Sequence, residues 1–282
     1  MVLQAPAAET EQTCQREGPA IHLAGLSLRY GQHLALDSIS LEVAGGERVA
    51  VVGPNGAGKS SLFYVISGVL QPSAGLVSVH GHSPAQYLCT AYLPQSGQID
   101  WNFPLTVSDV VMMGRTALLG LFRRPRAEDW AAVEQALERL KIADLAQRQI
   151  SQLSGGQRQR MFIARSLAQQ PALLLLDEPL SGLDLRSQDL IFDVLEDLKG
   201  EEVTVLFATH DLNLAADQFD RVMLLNQQLV GFGAAEQVFT EANLQQAYEG
   251  HVHLVETPEG PRILGDMGGH HHEHSEDLPQ NV

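Results

Sequence analysis

A glycine-rich segment with one lysine and two serines, GPNGAGKSS at 53–61, has residue types suited to binding a polyphosphate. Gly53, Gly58, Lys59 and Ser60 fit the pattern G-x-x-x-x-G-K-S/T. Glycines let backbone N–H groups turn toward phosphate oxygens, and a helix that follows adds its partially positive N-terminus. Lys59 would contact the β- and γ-phosphates, and the Ser60 hydroxyl would bind Mg²⁺. The pattern therefore predicts a site for a nucleoside triphosphate.

The flanking residues supply the strand and the helix that such a loop requires. RVAVV at 48–52 predicts a short buried strand, and the apolar spacing of 61–69 predicts a helix. The alternative is a tight strand-to-helix turn without a ligand, which the lysine and the hydroxyl disfavour. We expect the whole loop to line the site, namely Gly53, Pro54, Asn55, Gly56, Ala57, Gly58, Lys59, Ser60 and Ser61.

Two carboxylates follow a second buried strand, LLLLDE at 173–178. Beside a phosphate loop, Asp177 would bind Mg²⁺, directly or through water. Glu178 would polarise the water that attacks the γ-phosphate. The alternative is an ordinary helix cap or a solvated sheet edge, and the preceding phosphate loop favours the catalytic interpretation.

Two further polar residues follow predicted strands. His210 ends TVLFATH, so its imidazole should lie at the carboxyl edge of the sheet, where α/β sheets bind ligands. It could hydrogen-bond the γ-phosphate. Gln95 follows AYLP and could contact Mg²⁺ or the attacking water. Either residue taken alone is more typical of a satisfied polar residue at a strand end.

A second anion-binding helix end is indicated by LSGGQ at 153–157. Ser154 can cap the helix that follows, and Gly155 and Gly156 leave N–H groups exposed at its positive end. One chain then has two phosphate-binding helix ends but one lysine loop. Two copies that face each other head to tail would resolve this.

The elements around these motifs alternate between strand and helix. IHLAGLSLRY and LALDSISLEV predict two half-buried antiparallel strands before the phosphate loop. From about 98 to 151 the spacing becomes helical, and later apolar runs at 173–176, 203–208 and 221–225 have the βαβ rhythm of a mostly parallel sheet. A hairpin is possible near Glu259 and Gly260, where glycine and proline favour a turn.

Composition excludes some partners. The formal net charge is −16, which disfavours a nucleic-acid partner held through its phosphates. No apolar run approaches the ~20 residues needed to cross a bilayer, and the first residues lack the pattern of a signal peptide. Membrane association would have to come through a partner.

Together the motifs resemble the ATP-binding subunit of an ABC transporter. The full set stands in that family's order over roughly residues 21–245: Tyr30, Gly53–Ser61, Gln95, Leu153–Gln157, Leu173–Glu178, Ser181–Asp184 (SGLD) and His210. The resemblance implies a P-loop NTPase α/β fold, in which a mixed, mostly parallel sheet joins an antiparallel β subdomain and an α-helical subdomain at about 98–155. Residues 1–20 would form a flexible N-terminal tail and 246–282 a C-terminal extension.

The resemblance also implies partners and roles. Tyr30 would stack on adenine, and MgATP would lie between the P-loop of one copy and Ser154, Gly155, Gly156 and Gln157 of the other, with Asp184 also at the nucleotide. Gln95 would bind Mg²⁺ and couple the helical subdomain to integral membrane permease subunits. Such a subunit works at the cytoplasmic face of the cell membrane, and an extracytoplasmic substrate-binding protein acts with the permease.

A narrower resemblance is carried by IDWNFPLTVSDVVMMGRTALLGLFRRP at 99–125 and VFTEANLQQAYEGHV at 238–252. Both resemble the manganese and zinc import branch, whose neighbours import iron chelates. Ser61 departs from the threonine frequent in that branch, although a hydroxyl is retained. Import of an iron chelate or cofactor is the alternative function, and a soluble ABC protein outside transport is a remote one, because such proteins usually have two ATP domains or a long coiled-coil insertion.

The C-terminal end is rich in histidine, with GGHHHEHSEDLPQNV at 268–282. Neutral imidazoles bind Zn²⁺, Ni²⁺ or Cu²⁺, and Mn²⁺ more weakly. His270, His271, His272 and His274 are therefore candidate transition-metal ligands. The alternative is a solvated tail without a metal.

Overall fold

The computed structural model describes residue 16 and residues 18–95, 101–119, 124–249, 252–257 and 260–265. Its strands are β1 (Ile21–Tyr30), β2 (His33–Val43), β3 (Arg48–Val52), β4 (Ala74–Val79), β5 (Thr90–Leu93), β6 (Leu173–Asp177), β7 (Thr204–Thr209), β8 (Arg221–Asn226), β9 (Gln228–Gly233), β10 (Val252–Thr257) and β11 (Gly260–Gly265). Its α-helices are α1 (Lys59–Ile66), α2 (Val107–Met112), α3 (Thr116–Leu119), α4 (Ala127–Arg139), α5 (Gly155–Ala168), α6 (Leu185–Gly200), α7 (Leu212–Gln218), α8 (Ala235–Val238) and α9 (Glu241–Tyr248).

A six-stranded sheet forms the centre, in the order β5-β6-β7-β3-β8-β9. All neighbouring strands are parallel except β8 and β9. The runs VLF in β7 and LLLL in β6 are fully buried, as expected for parallel strands covered on both faces. The registers Val52 with Thr209 and Asp177 with Ala208 bring the carboxyl ends of β3, β6 and β7 to one edge. The predicted mixed, mostly parallel sheet is confirmed.

A second sheet is antiparallel and has the order β2-β1-β4. Its apolar face, with Leu23, Leu26 and Ile39, packs in one core cluster with α1 residues such as Phe63. The predicted antiparallel subdomain is thus confirmed. Of the expected N-terminal tail, only residues 16 and 18–20 are described, and Ala20 is already fully buried, so packing begins before β1.

The helical segment between β5 and β6 contains α2, α3, α4 and α5. Thr106 begins α2 with a capping box that includes Asp109, and α2, α4 and α5 pack against one another. A buried ion pair joins Arg115 Nε to Asp129 Oδ1 at 3.0 Å, and Arg115 also donates to the carbonyl of Ala168. Arg115 thus links Asp129 on α4 to the last residue of α5. Loss of either partner of the ion pair would leave a buried charge without its counter-ion, which is strongly destabilising.

After the central sheet, α8 and α9 lead into an antiparallel hairpin of β10 and β11. The hairpin predicted near Glu259 and Gly260 is therefore confirmed. The candidate metal ligands His270, His271, His272 and His274 lie outside the described residues. Within the described ranges, none of the helices combines the length and apolar character needed to cross a membrane.

Candidate nucleotide-binding and hydrolysis site

The phosphate loop connects the central strand β3 to α1 and depends on glycine at two points. Gly53 has φ 154°, and a Cβ there would lie 2.0 Å from the carbonyl oxygen of Leu225. Gly58 has φ 96°, and its Cβ would lie 2.6 Å from the carbonyl oxygen of Ala35. Both neighbours are backbone atoms that cannot turn away, so a side chain at either point would displace the loop.

Lys59 begins α1, two residues earlier than the predicted helix start at Ser61. Its Nζ donates hydrogen bonds to the carbonyl oxygens of Gly53 at 2.7 Å and Pro54 at 3.1 Å. Burial lowers the pKa of the Lys59 amino group, while the carboxylates of Glu178 and Asp177 act in the opposite direction. The loop thus holds a largely desolvated cation opposite two carboxylates.

Asp177 ends the buried strand β6, and its side chain lies beside that of Ser60. Burial raises the pKa of Asp177, and a hydrogen bond from the Ser60 side chain opposes that shift. Tyr92 Oη, whose own pKa is raised by burial, donates to Asp177 Oδ2 at 3.4 Å. The Ser60 hydroxyl and the Asp177 carboxylate are oxygen donors of the kind that Mg²⁺ takes, so this pair fits the ion.

Glu178 occupies the left-handed backbone region, with φ 49°. Its N–H donates to the carbonyl of Ala208, which anchors the turn after β6. Its carboxylate accepts a hydrogen bond from Gln95 Nε2 at 3.0 Å on Oε2, and His210 Nδ1 lies 3.9 Å from Oε1. Gln95 and His210, which follow β5 and β7, therefore both approach the carboxylate of Glu178, which follows β6.

One cavity of about 640 Å³ contains most of the predicted site. Its lining residues are Tyr30, His33, Ala35, Asn55, Gly56, Ala57, Gly58, Lys59, Ser60, Ser61, Gln95, Asp177, Glu178 and His210. Tyr30 is 46% exposed, and its Oη lies 3.4 Å from Ser61 Oγ. Residues 55–61 of the predicted loop, both carboxylates, Gln95 and His210 are thus brought together, whereas Gly53 and Pro54 are not among the residues that line this cavity.

Three contributors were missed by sequence reasoning. His33 and Ala35 line the cavity from the start of β2, and Tyr92 donates to Asp177 from β5. His33 could have been predicted, because it pairs with Tyr30 across the β1–β2 turn and therefore lies at the same end of the hairpin as that predicted site residue. Tyr92 carried none, since its role depends on β5 lying beside β6.

The LSGGQ segment lies outside this cavity, at the start of α5. Ser154 is its N-cap: Ser154 Oγ accepts from Gln157 N at 3.3 Å, and Gln157 Oε1 accepts from Ser154 N at 3.0 Å. The predicted helix cap is confirmed. A Cβ on Gly155 would meet no atom within 4 Å, so this helix end is open in a single chain.

Asp184 of the SGLD segment is the N-cap of α6 and is also outside the cavity. Its Oδ1 accepts from Ser187 N at 2.8 Å, and this hydrogen bond lowers the pKa of Asp184. A Cβ on Gly156 would lie 3.5 Å from Ser187 Oγ, so α5 and α6 begin side by side. The second helix end and the SGLD segment therefore form one surface.

Residues 36–181 match the ABC transporter family. The manganese transport system ATP-binding protein MntB of Bacillus subtilis is 41% identical over 231 residues, which cover 82% of this chain and 92% of MntB. The chain belongs to the ABC transporter family.

Two further similarities agree with this assignment. The zinc transport system ATP-binding protein TroB of Treponema pallidum is 40% identical over 86% of this chain and 91% of TroB. A solved structure of a metal-chelate type ABC transporter in an inward-facing conformation has a TM-score of 0.74 and 31% identity, over 87% of this chain and 96% of that one. As an ABC transporter subunit, the chain binds ATP and hydrolyses it.

Proposed function

We propose that this ABC ATPase powers the import of a divalent metal ion, manganese or zinc, through a membrane permease. The observation that carries the proposal is that one cavity brings together most of the predicted nucleotide-site residues, in a chain that is about 40% identical, over most of its length, to manganese and zinc transport subunits. ATP-driven transport requires a hydrolysis site, and the P-loop cavity supplies its residues.

In the proposed site, Lys59 and the P-loop backbone bind the β- and γ-phosphates, and Tyr30 stacks on adenine. Ser60, Asp177 and Gln95 hold Mg²⁺, which neutralises phosphate charge when bound. Glu178 orients and polarises the attacking water, and His210 contacts the γ-phosphate. The support for these roles is that the side chains line one cavity and that Glu178 lies within 4 Å of both Gln95 and His210.

The site is completed by a second copy in this proposal. Ser154, Gly155, Gly156 and Gln157 of that copy cover the γ-phosphate, with Asp184 beside them. Three observations support this. The N-terminus of α5 is capped by Ser154, there is open space beside Gly155, and this helix end does not line the nucleotide cavity of its own chain. The N-terminus of a helix binds anions well. The N-terminus of α5 does not line the cavity of the phosphate loop in its own chain, so it is available to a nucleotide bound by another copy.

The chain is divided, we propose, into an ATP-binding domain at 21–245, with its helical subdomain at about 98–155, and a C-terminal extension at 246–282. The domain works at the cytoplasmic face of the membrane, bound to permease subunits that receive substrate from an extracytoplasmic binding protein. The support is that the relatives are named as parts of transport systems.

An uptake experiment tests the function. The chain is reconstituted in vesicles with its permease and the substrate-binding protein, and ATP-dependent accumulation of Mn²⁺, Zn²⁺ and a ferric chelate is measured. We expect accumulation of Mn²⁺ or Zn²⁺ that is lost in Glu178→Gln and retained in Glu236→Gln, which alters an exposed carboxylate on α8. Absence of metal uptake with intact ATP hydrolysis would contradict the proposed cargo.

A second candidate, import of a metal chelate or cofactor, is favoured by one observation, the similarity to the metal-chelate type transporter structure. Accumulation of the ferric chelate without the free ions would select this alternative.

A further inference from the structure

The C-terminal hairpin is bound to α7 by one asparagine that makes two hydrogen bonds. Asn213 Nδ2 donates to the carbonyl oxygen of Ile263 at 3.0 Å, and Asn213 Oδ1 accepts from the Ile263 N–H at 3.0 Å. Ile263 lies in the middle of β11, opposite Leu254 of β10. The side-chain amide thus pairs with β11 as a neighbouring strand would.

This pairing has a geometric reason. In an antiparallel strand the N–H and C=O of one residue point to the same side. Both groups of Ile263 bond Asn213, so they face away from β10 and belong to the free edge of the hairpin. An isolated two-stranded hairpin is marginally stable, so the contact with α7 helps to keep it folded and in place.

Packing reinforces the attachment. Val252 of β10 and Ile263 of β11 are both buried and belong to the main apolar cluster of the domain, together with Leu212 and Ala215 of α7. Arg262 Nη1 donates to Asp217 Oδ2 on α7 at 2.8 Å, and the two side chains are 37% and 54% exposed. Asn213, the buried apolar contacts and this ion pair therefore together attach the hairpin to α7.

The helix α7 follows β7 directly, and His210 lies in the short connection between them. His210 follows β7 directly, and α7 begins two residues later at Leu212, where Asp211 caps it by accepting from Leu214 N at 2.9 Å. The His210 side chain is 73% exposed, and its ring makes no hydrogen bond with the part of the chain that the structure describes. Its position is consequently set by the backbone between β7 and α7.

We propose that the C-terminal hairpin, through Asn213, holds α7 in place and thereby positions His210 for ATP hydrolysis. Asn213 is a positioning residue, since it lines neither the nucleotide cavity nor the surface of Gly155 and Asp184. This gives the C-terminal extension a part in the chemistry although it lies beyond residue 181, where the match to the family ends. The inference rests on the proposed role of His210.

The test measures steady-state ATP hydrolysis by the full chain with its permease. Asn213→Ala should lower kcat about 2- to 30-fold, the range for residues that act through packed neighbours, with KM for ATP changed less than about twofold. Asn213→Asp keeps the acceptor for the Ile263 N–H and should retain an intermediate kcat. Because Asn213 acts through His210, Asn213→Ala should cause no further loss in a His210→Ala background.

Asn243→Ala is the matched control. Asn243 lies on α9 and also donates to a main-chain carbonyl, that of Val238 at 2.9 Å, so the variant loses a side-chain hydrogen bond that does not join α7 to the hairpin. It should keep full kcat. Thermal unfolding of each variant identifies the temperature range in which all are folded, and rates are compared there.

Full kcat in Asn213→Ala would overturn the inference, and so would a loss in the double variant equal to the product of the two single losses. The second would show that Asn213 acts independently of His210. An unchanged rate in His210→Ala would contradict the proposed role of His210 itself. A reduced rate in His210→Ala with a normal rate in Asn213→Ala would contradict the role of the hairpin alone.

Discussion

Gln95 Nε2 donates a hydrogen bond of 3.0 Å to Glu178 Oε2, although 83 residues separate the two in the chain. The contact arises because β5 and β6 are parallel neighbours, so the residues that follow them emerge at the same edge of the sheet. Gln95 also precedes the helical segment that contains α2 to α5. A displacement of that segment would move Gln95, and with it the hydrogen bond to the Glu178 carboxylate that we assign to hydrolysis.

Removal of the Lys59 charge should weaken nucleotide binding. In Lys59→Ala the phosphates lose a buried cation, and hydrogen bonds to charged groups are worth about 1.5–3 kcal/mol. We therefore expect the Kd for ATP to rise roughly 10- to 100-fold. Equilibrium binding of a fluorescent ATP analogue measures the change.

Lys199→Ala serves as the control for Lys59→Ala. Lys199 pairs with Asp220 at the surface, outside the nucleotide cavity, and its loss should leave the Kd unchanged. Equal affinities for wild type and Lys59→Ala would exclude the assigned contact of Lys59 with the phosphates.

Loss of the Tyr30 ring should weaken ATP binding, because the stacking contact with the adenine base is lost. Stacking of an aromatic side chain on a base is worth about 1–3 kcal/mol, so Tyr30→Ala should raise the Kd for ATP about 5- to 100-fold. Tyr30→Phe removes only the Oη near Ser61 and should bind almost as wild type. If Tyr30→Ala binds inorganic triphosphate and ATP as wild type does, Tyr30 does not contact adenine.

Sequence reasoning predicted local features better than contacts between distant segments. The strand Arg48–Val52 and the Ser154 cap follow from short patterns and are confirmed. The strand β9 was missed, because QLVGFG has two glycines and little alternation. Tyr92 was missed for a different reason: its contact with Asp177 depends on strand order, and the two residues are 85 positions apart in the chain.

The proposed second copy is testable at Gly155. A Cβ there meets no atom within 4 Å and the backbone is helical, so Gly155→Glu fits the single chain. In a dimer the added carboxylate would lie against the γ-phosphate of the partner copy and repel it. With ATP, Glu178→Gln protein should therefore form a species of twice the 30.7 kDa chain mass, and Glu178→Gln with Gly155→Glu should not.

Light scattering coupled to size exclusion measures the mass. Gly45→Glu is the control, because Gly45 also has open space around its Cβ and lies away from both helix ends; in the Glu178→Gln background it should dimerise normally. Persistent dimers of the Gly155→Glu protein would show that this helix end does not cover the phosphate.

The rate of ATP hydrolysis by Glu178→Gln tests the central claim, that this carboxylate activates the attacking water, most directly. The substitution keeps the shape of the side chain that accepts from Gln95 and removes its basicity. We predict kcat lower by about 10²- to 10⁴-fold, the range for a general base, with the Kd for ATP unchanged and with full activity in Glu236→Gln. Wild-type turnover in Glu178→Gln would contradict the account.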